Sequence, residues 1–441
     1  MKAAPSPQAD AVPDSRAWRV LGSSTFAFTI CFAVWMMFAI LGIPLKQQLH
    51  LTDTEFGLIS AMPVLTGSLA RVPLGIWTDR FGGRIVFFLT MIVTVIPIWL
   101  VSYATQLWQF LALGLLVGFA GASFSVGTPY VARWFPKSRQ GLAMGIFGAG
   151  NSGAAVNKFV APVLIVAAGS WTIVPKIYSV AMLVTALLFW VFSASNPAHR
   201  VTNSTSVASQ MRVLADPRVL RYSQYYSVVF GGYVGLSLWM PQYYVNQYGF
   251  GIEQAAFLAA CFSLPGGVLR AIGGWLSDRY GAYRTTWAVM WVALGCFFLL
   301  SYPPTDFVIY SAHGPLGLHI STGPVFYTVL MFVVGIAMAV GKASVFKFIG
   351  DEYTENIGAV SGVVGLAGGL AGFILPILFG LLVDLTGVRT TCFMLMFGAT
   401  AVSLLFMHVS FRPEALAHGR AMLERKKGGE VASLKETSQT E

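Results

Sequence analysis

Residues 71–84 read RVPLGIWTDRFGGR, and residues 270–284 read RAIGGWLSDRYGAYR. Both fit R-x3-G-x3-D-R-[FY]-G, and the spacing from Arg71 to Asp79 equals that from Arg270 to Asp278. A pattern of this kind, met once in each half of a chain, marks an internal repeat. A weaker pair supports it: GIFGAGNSGAAVNKFVAP and GVVGLAGGLAGFILP are both glycine-rich and both close on a proline, Pro162 or Pro376.

The setting of the repeat is apolar. Of the 441 residues 56% are hydrophobic and only 10% charged, against about 25% charged in soluble domains. Runs of about 20 apolar residues, enough to cross a hydrocarbon core, fall near 20–43, 55–78, 85–104, 108–132, 141–166, 173–194, 219–245, 253–277, 285–301, 323–347, 357–383 and 390–410. The expectation is an all-α membrane protein of about twelve transmembrane helices in two pseudo-symmetric six-helix halves, 19–194 and 219–410. A polar linker (195–218) joins them, and polar tails (1–18 and 411–441) flank them. Such halves, related by an axis along the membrane normal, describe a transporter with its substrate near the midplane between the repeats.

Charge distribution sets the orientation. The net charge of +10 sits on alternate connections, at Arg80 and Arg84, Arg133 to Arg139, Arg200 to Arg221, Arg279 and Arg284, and in the C-terminal tail. The intervening connections keep only Lys46, Lys176 and Arg389. Basic loops face the cytoplasm, so both termini are expected there, in the cell's inner membrane. That pattern speaks for a lipid bilayer and against nucleic acid as the partner of the positive charge. Cys31, Cys261, Cys296 and Cys392 lie inside apolar runs without paired spacing, so neither disulfides nor a metal site is indicated. No catalytic motif is present, and no enzyme activity or cofactor is expected.

Eight residues of helix rise about 12 Å. With Asp79 and Asp278 at the cytoplasmic surface, Arg71 and Arg270 therefore stand near the middle of a core roughly 30 Å thick. An arginine there costs about 2.5–3.5 kcal/mol on insertion scales and needs a wet cavity or a partner. No Asp or Glu falls at that depth in the expected spans. Either arginine could instead snorkel to an interface or brace the Asp-Arg loop. The symmetric placement favours a shared role in which the missing counter-ion is the cargo. A guanidinium fork fits a flat oxyanion, pairing two parallel N–H donors with two oxygens.

The stretch 148–162, GAGNSGAAVNKFVAP, runs against helix propensity. Glycines let helices approach closely and bare their backbone. Gly148, Gly150 and Gly153 of the fifth span, with Gly362, Gly365, Gly368 and Gly369 of the eleventh, would wall a pocket narrow enough for a small anion; plain helix–helix contact is the alternative. Asn151 can donate a neutral hydrogen bond to that anion.

These two segments resemble the paired glycine-rich nitrate motifs of the nitrate/nitrite porter family of the major facilitator superfamily. WMMFAILGIPLKQQLHLTDTEFGLISAMPVLTGSLARVPLGIWTDRFGGR is similar to that family's first two spans, and FSLPGGVLRAIGGWLSDRYG to its eighth. The resemblance implies that Arg71 and Arg270 clamp the anion and that Asn151 is the family's fifth-span asparagine. It further implies aromatic rings on either side of the anion, for which YYSVVFGGYVGLS offers Tyr226 and Phe230 and GFAGASFSVG offers Phe124. Ser361 is a further polar candidate.

The resulting expectation is a secondary transporter of nitrate, nitrite or both, a functional monomer working by alternating access. Asp79, Arg80, Asp278 and Arg279 are expected to make and break contacts between the halves as gates. Uptake against an inside-negative potential costs about 2.3 kcal/mol per charge per 100 mV, so nitrate/nitrite exchange or protons must drive it. Lys158 departs from the family pattern. Seven residues beyond Asn151 it faces nearly the same side, where it could raise the cavity's potential or take part in proton coupling, or else reach the periplasmic interface. Lys342 and Lys347 pose the same alternatives near the cytoplasmic end of the tenth span. Rival readings are a carrier of formate or oxalate, an anion channel, and a nitrate sensor; the short charged tail speaks against the last.

Overall fold

The structure, a computed structural model, describes residues 15–195, 216–353 and 357–410. The expected N-terminal tail up to residue 14, most of the linker (196–215) and the C-terminal tail (411–441) lie outside the described residues. Among those described, nine helices are long and apolar enough to cross a membrane, and eleven if two bent pairs each count as one span. In chain order the first span is Ser15–Leu49, the second the bent pair Asp53–Leu69 and Arg71–Phe81, the third Gly83–Val101, the fourth Leu107–Ala132, the fifth Arg139–Ala168 and the sixth Ile173–Phe192. The seventh place is filled by Pro217–Tyr226, a π turn Ser227–Gly231 and Gly232–Tyr248, which follow without interruption. The eighth is the second bent pair, Ile252–Val268 and Arg270–Tyr280, followed by Ala282–Leu300, Pro324–Glu352, Val360–Thr386 and Thr391–Ser410. Leucine, valine and phenylalanine side chains remain exposed along the outer faces, as at Val93, Val163, Val191, Phe298 and Leu405, the surface that lipid would cover.

Local chemistry explains where the helices start and bend. Thr52 and Glu55 form a reciprocal capping box that opens the second span. The second span bends by 40° and the eighth by 48°, in each case just before the repeat's arginine. In the eighth, Pro265-Gly266-Gly267 removes a backbone donor and two side chains immediately ahead of the bend. In the second, Pro73 lacks the N–H that would reach the Leu69 carbonyl and its ring crowds that carbonyl, breaking the helix at Ala70.

Glycines set how closely helices pass. A Cβ at Gly121 would drive into the Trp35 ring, at Gly150 into Phe28, and at Gly153 into the Thr29 carbonyl. Asn157 has a structural task. Its amide donates to the Met36 carbonyl at 2.8 Å, where the first helix is interrupted, and its oxygen accepts from Tyr178 at 2.9 Å.

The connection after the ninth span forms an antiparallel hairpin, β1 Thr305–Ser311 with β2 Gly314–Ile320, which the span pattern did not anticipate. Gly314 supplies the positive φ of 115° that the turn needs. The hairpin stands at the end of the bundle away from the basic loops.

The halves meet tightly on only one side of the arginine layer. Away from the basic loops, a Cβ at Gly57 would strike the Pro376 carbonyl, at Gly380 the Asp53 carbonyl, and at Gly267 the Ser152 amide. There Asp384 of the eleventh span accepts from the backbone N–H of Asp53 at 3.0 Å and of Thr54 at 2.8 Å, capping the second span from the opposite half. Toward the basic loops a Cβ on Gly145 would stand 3.3 Å from that of Ala271, and one on Gly75, Gly141 or Gly274 would meet nothing within 4 Å.

Candidate functional site

Each bend delivers an arginine to the space between the halves. Arg71 and Arg270 are the first residues of their second helical segments, and both line one small cavity with Phe28, Phe32, Gly121, Phe124, Asn151, Tyr226 and Phe230. The centre of a water-sized sphere can move through only about 10 Å³ of it, roughly the room one water needs. A ligand of a few atoms can be enclosed here; a larger one requires the halves to part.

The two arginines exchange sides. Arg71, from the first half, donates to the Gly365 carbonyl of the eleventh span at 3.0 Å and lies 5.1 Å from the Phe230 ring. Arg270, from the second half, reaches 5.4 Å from Phe124, with its Cδ 3.6 Å from where a Cβ on Gly148 would stand. Each arginine thus reaches an aromatic ring and a glycine of the opposite half, and the Arg270 guanidinium also lies 5.5 Å from the Phe346 ring of its own half. Among the described residues neither arginine forms an ion pair, and the cavity lining contains no carboxylate. The Nε of Arg71 is buried without a hydrogen-bond partner, a condition that costs about 1–3 kcal/mol or more for a charged group until something accepts from it.

The aromatic residues form two layers. Tyr226 and Phe230 stack with centroids 5.1 Å apart and planes 9° apart, and Phe346 meets Tyr226 edge-on. Opposite them, Phe28 packs against Phe124 and Phe147. Asn151 sits 2% exposed in the 3-10 turn Ala149–Ser152, donating to the Gly148 carbonyl at 2.9 Å. Its second amide hydrogen is left to donate to a ligand.

The structure therefore brings Arg71, Arg270, Asn151, Tyr226, Phe230 and Phe124 together at one cavity. Ser361 is half-buried and outside that lining. Of the expected glycines, Gly148 and Gly365 face the arginines, Gly368 faces the Tyr226 ring, and Gly150, Gly153 and Gly369 are helix contacts; Gly362 is half-buried. Sequence reading passed over Phe28, Phe32, Phe147 and Phe346. A signal existed: Phe28 and Phe32 stand four residues apart on the first span, as Tyr226 and Phe230 do on the seventh.

The expected gate residues lie at the basic-loop end, where this conformation pairs the two aspartates within their own halves. Asp79 pairs with Arg133, and Asp278 pairs with Lys347 at 3.1 Å, each within its own half. Arg80 lies over Phe81, and Arg279 over Trp275 and Tyr280. With that end open, none of the four forms an ion pair across the halves among the described residues; Asp79 and Asp278 meet basic side chains at the ends of the fourth and tenth spans. Lys158 does not reach an interface either; it is 2% exposed and donates to Ser263 of the eighth span at 2.7 Å. Lys342 is fully buried on the Gly266 carbonyl.

Comparison with known proteins places this geometry. Residues 24–376 match the family model of the Major Facilitator Superfamily. The chain is similar to the probable nitrate/nitrite antiporter NarK1 of Thermus thermophilus, 40% identical over 404 residues, covering 89% of this chain and 91% of that one. It is also similar to the nitrite extrusion protein of Bacillus subtilis, 31% identical, covering 82% and 87%. Among solved structures, a point mutant of the nucleoside transporter NupG superposes with a TM-score of 0.70 at 14% identity, covering 89% and 100%. A bacterial homologue of the human lysosomal transporter Spinster gives 0.64 at 16% identity, covering 90% and 94%.

Proposed function

Since the chain belongs to the nitrate/nitrite porter family of the major facilitator superfamily, we propose that it carries nitrate and nitrite across the membrane by alternating access. The observation that bears most weight is the enclosed cavity with two guanidinium groups and no carboxylate in its lining. Without an anion, the two cations repel across the interface that must close. A planar anion between them accepts from both, satisfies Arg71 Nε and lets the halves seal around it. The aromatic layers and Asn151 fix its plane and exclude water.

The same lining favours nitrate/nitrite exchange over proton symport, because it offers no carboxylate to carry a proton. With basic loops on the cytoplasmic side, the protein lies in the cell's inner membrane with both termini inside, and the closed seams face outward. A cavity built wholly within one chain supports a monomer as the working unit.

Counterflow in proteoliposomes tests this reading: labelled nitrate should accumulate against preloaded nitrite without a pH gradient. Arg71→Lys and Arg270→Lys should each lower it by about 10–100-fold, the worth of a charged hydrogen bond at about 1.5–3 kcal/mol. Uptake that survives either exchange, or that formate or oxalate suppresses better than nitrite does, overturns it.

A further inference from the structure

Beyond the arginine layer, toward the closed end, a second polar cluster lies at the seam between the fifth and eighth spans. Lys158 Nζ donates to Ser263 Oγ at 2.7 Å and approaches the Ala154 carbonyl of its own helix at 3.4 Å. Ser263 Oγ stands 3.4 Å from Ser237 Oγ, and the Ser263 carbonyl accepts from Tyr233 at 2.8 Å. Lys342 donates to the Gly266 carbonyl at 2.6 Å and lies 3.5 Å from the Tyr233 ring. Glu253 borders the same groove as Lys158 but forms no ion pair with it.

Lys158 follows Asn151 by seven residues, so it shares that helix face about 10 Å farther from the basic loops. Its bond to Ser263 joins one half to the other and exists only while this end is shut. Rocking must part the two residues. The ammonium then keeps only its own helix's carbonyl and faces the water that enters, which solvates it as a cation.

We propose that in the outward-open form Lys158 is a second binding position for the transported anion, taking a small monovalent oxyanion from the outer solution and handing it inward to the arginine pair. This rests on the transport reading above. An ammonium suits a relay: its three donors rotate freely and impose no plane, so it attracts the anion and releases it, whereas the two forks beyond it select. As the gate closes, Ser263 reclaims the ammonium and leaves the anion with the arginines.

The test uses the full chain reconstituted in one orientation, with nitrate counterflow measured from each face. Lys158→Met should raise KM for entry at the outer face about tenfold and flatten its dependence on ionic strength, with KM at the basic-loop face changed less than about twofold. Lys158→Arg should restore the outer KM. Ser263→Ala, which removes the gate partner and keeps the charge, should not raise the outer KM, since loss of the closing bond favours the outward-open form. Should the methionine variant fail to reconstitute, Lys158→Gln carries the same expectation. Equal KM changes at both faces, or none at either, overturn the proposal. A wild-type chain that carries no nitrate overturns the transport reading itself, and the relay with it.

Discussion

Two seams close the end of the molecule away from the basic loops, and they are made differently. Between the second and eleventh spans the seal is backbone: Gly57 on the Pro376 carbonyl, Gly380 on the Asp53 carbonyl, and Asp384 capping the Asp53 and Thr54 amides. Between the fifth and eighth spans Gly267 also meets backbone, but the bond that crosses is a lysine on a serine. Apart from the Asp384 cap, the first seam is packed backbone against backbone and tolerates little change in shape. The second carries a mobile charge that can change partners. One sets how firmly the gate shuts, and the other sets what the anion meets when it opens.

Substitutions can break that contrast. The largest effect is expected from Gly57→Val, whose side chain must displace the Pro376 carbonyl. Overpacking of this kind costs about 1–3 kcal/mol, enough to shift the closed-to-open ratio by roughly 5–150-fold. Cysteine labelling of the outer cleft should rise accordingly, and unchanged labelling would show that the seam yields. Asp384→Asn comes next. It loses the charge on a cap worth about 0.5–2 kcal/mol, so labelling should rise less and counterflow should change by under about tenfold. Tyr233→Phe should matter least. It removes one hydrogen bond to the Ser263 carbonyl, worth about 1 kcal/mol, and should leave outer labelling nearly unchanged while slightly weakening thermal stability. A Tyr233→Phe effect larger than that of Asp384→Asn would mean that the support behind Ser263, and not the Asp384 cap, sets how firmly this end shuts.

The arginine pair was legible because the repeat writes it twice at equal spacing, and depth follows from helix rise. What each arginine touches was not legible. Gly365 and Phe230 come to Arg71 from the far half, and no spacing along the chain encodes that crossing. What the Asp-Arg loops touch in this conformation was not legible either. A charged loop at a cytoplasmic end invites a partner across the gap, yet Arg133 and Lys347 stand nearer, at the ends of neighbouring spans. Lys158 was visible as an oddity on an apolar face, but its partner Ser263 looked like any small residue in a glycine-rich helix. The hairpin was missed because 302–322 was read only as the gap between spans, although its strand alternation, with Phe307, Ile309, Leu316 and Leu318 on one face, was there to count.

That hairpin has no counterpart between the third and fourth spans, where only Ser102 to Gln106 connect the helices. Its exposed tip, Ala312 and His313, is therefore a natural landmark. An epitope inserted there should be reached by antibody on unpermeabilised spheroplasts when the basic loops lie inside, and only after lysis when they lie outside. The sidedness of the whole bundle can be read at that single point without touching the transport pathway.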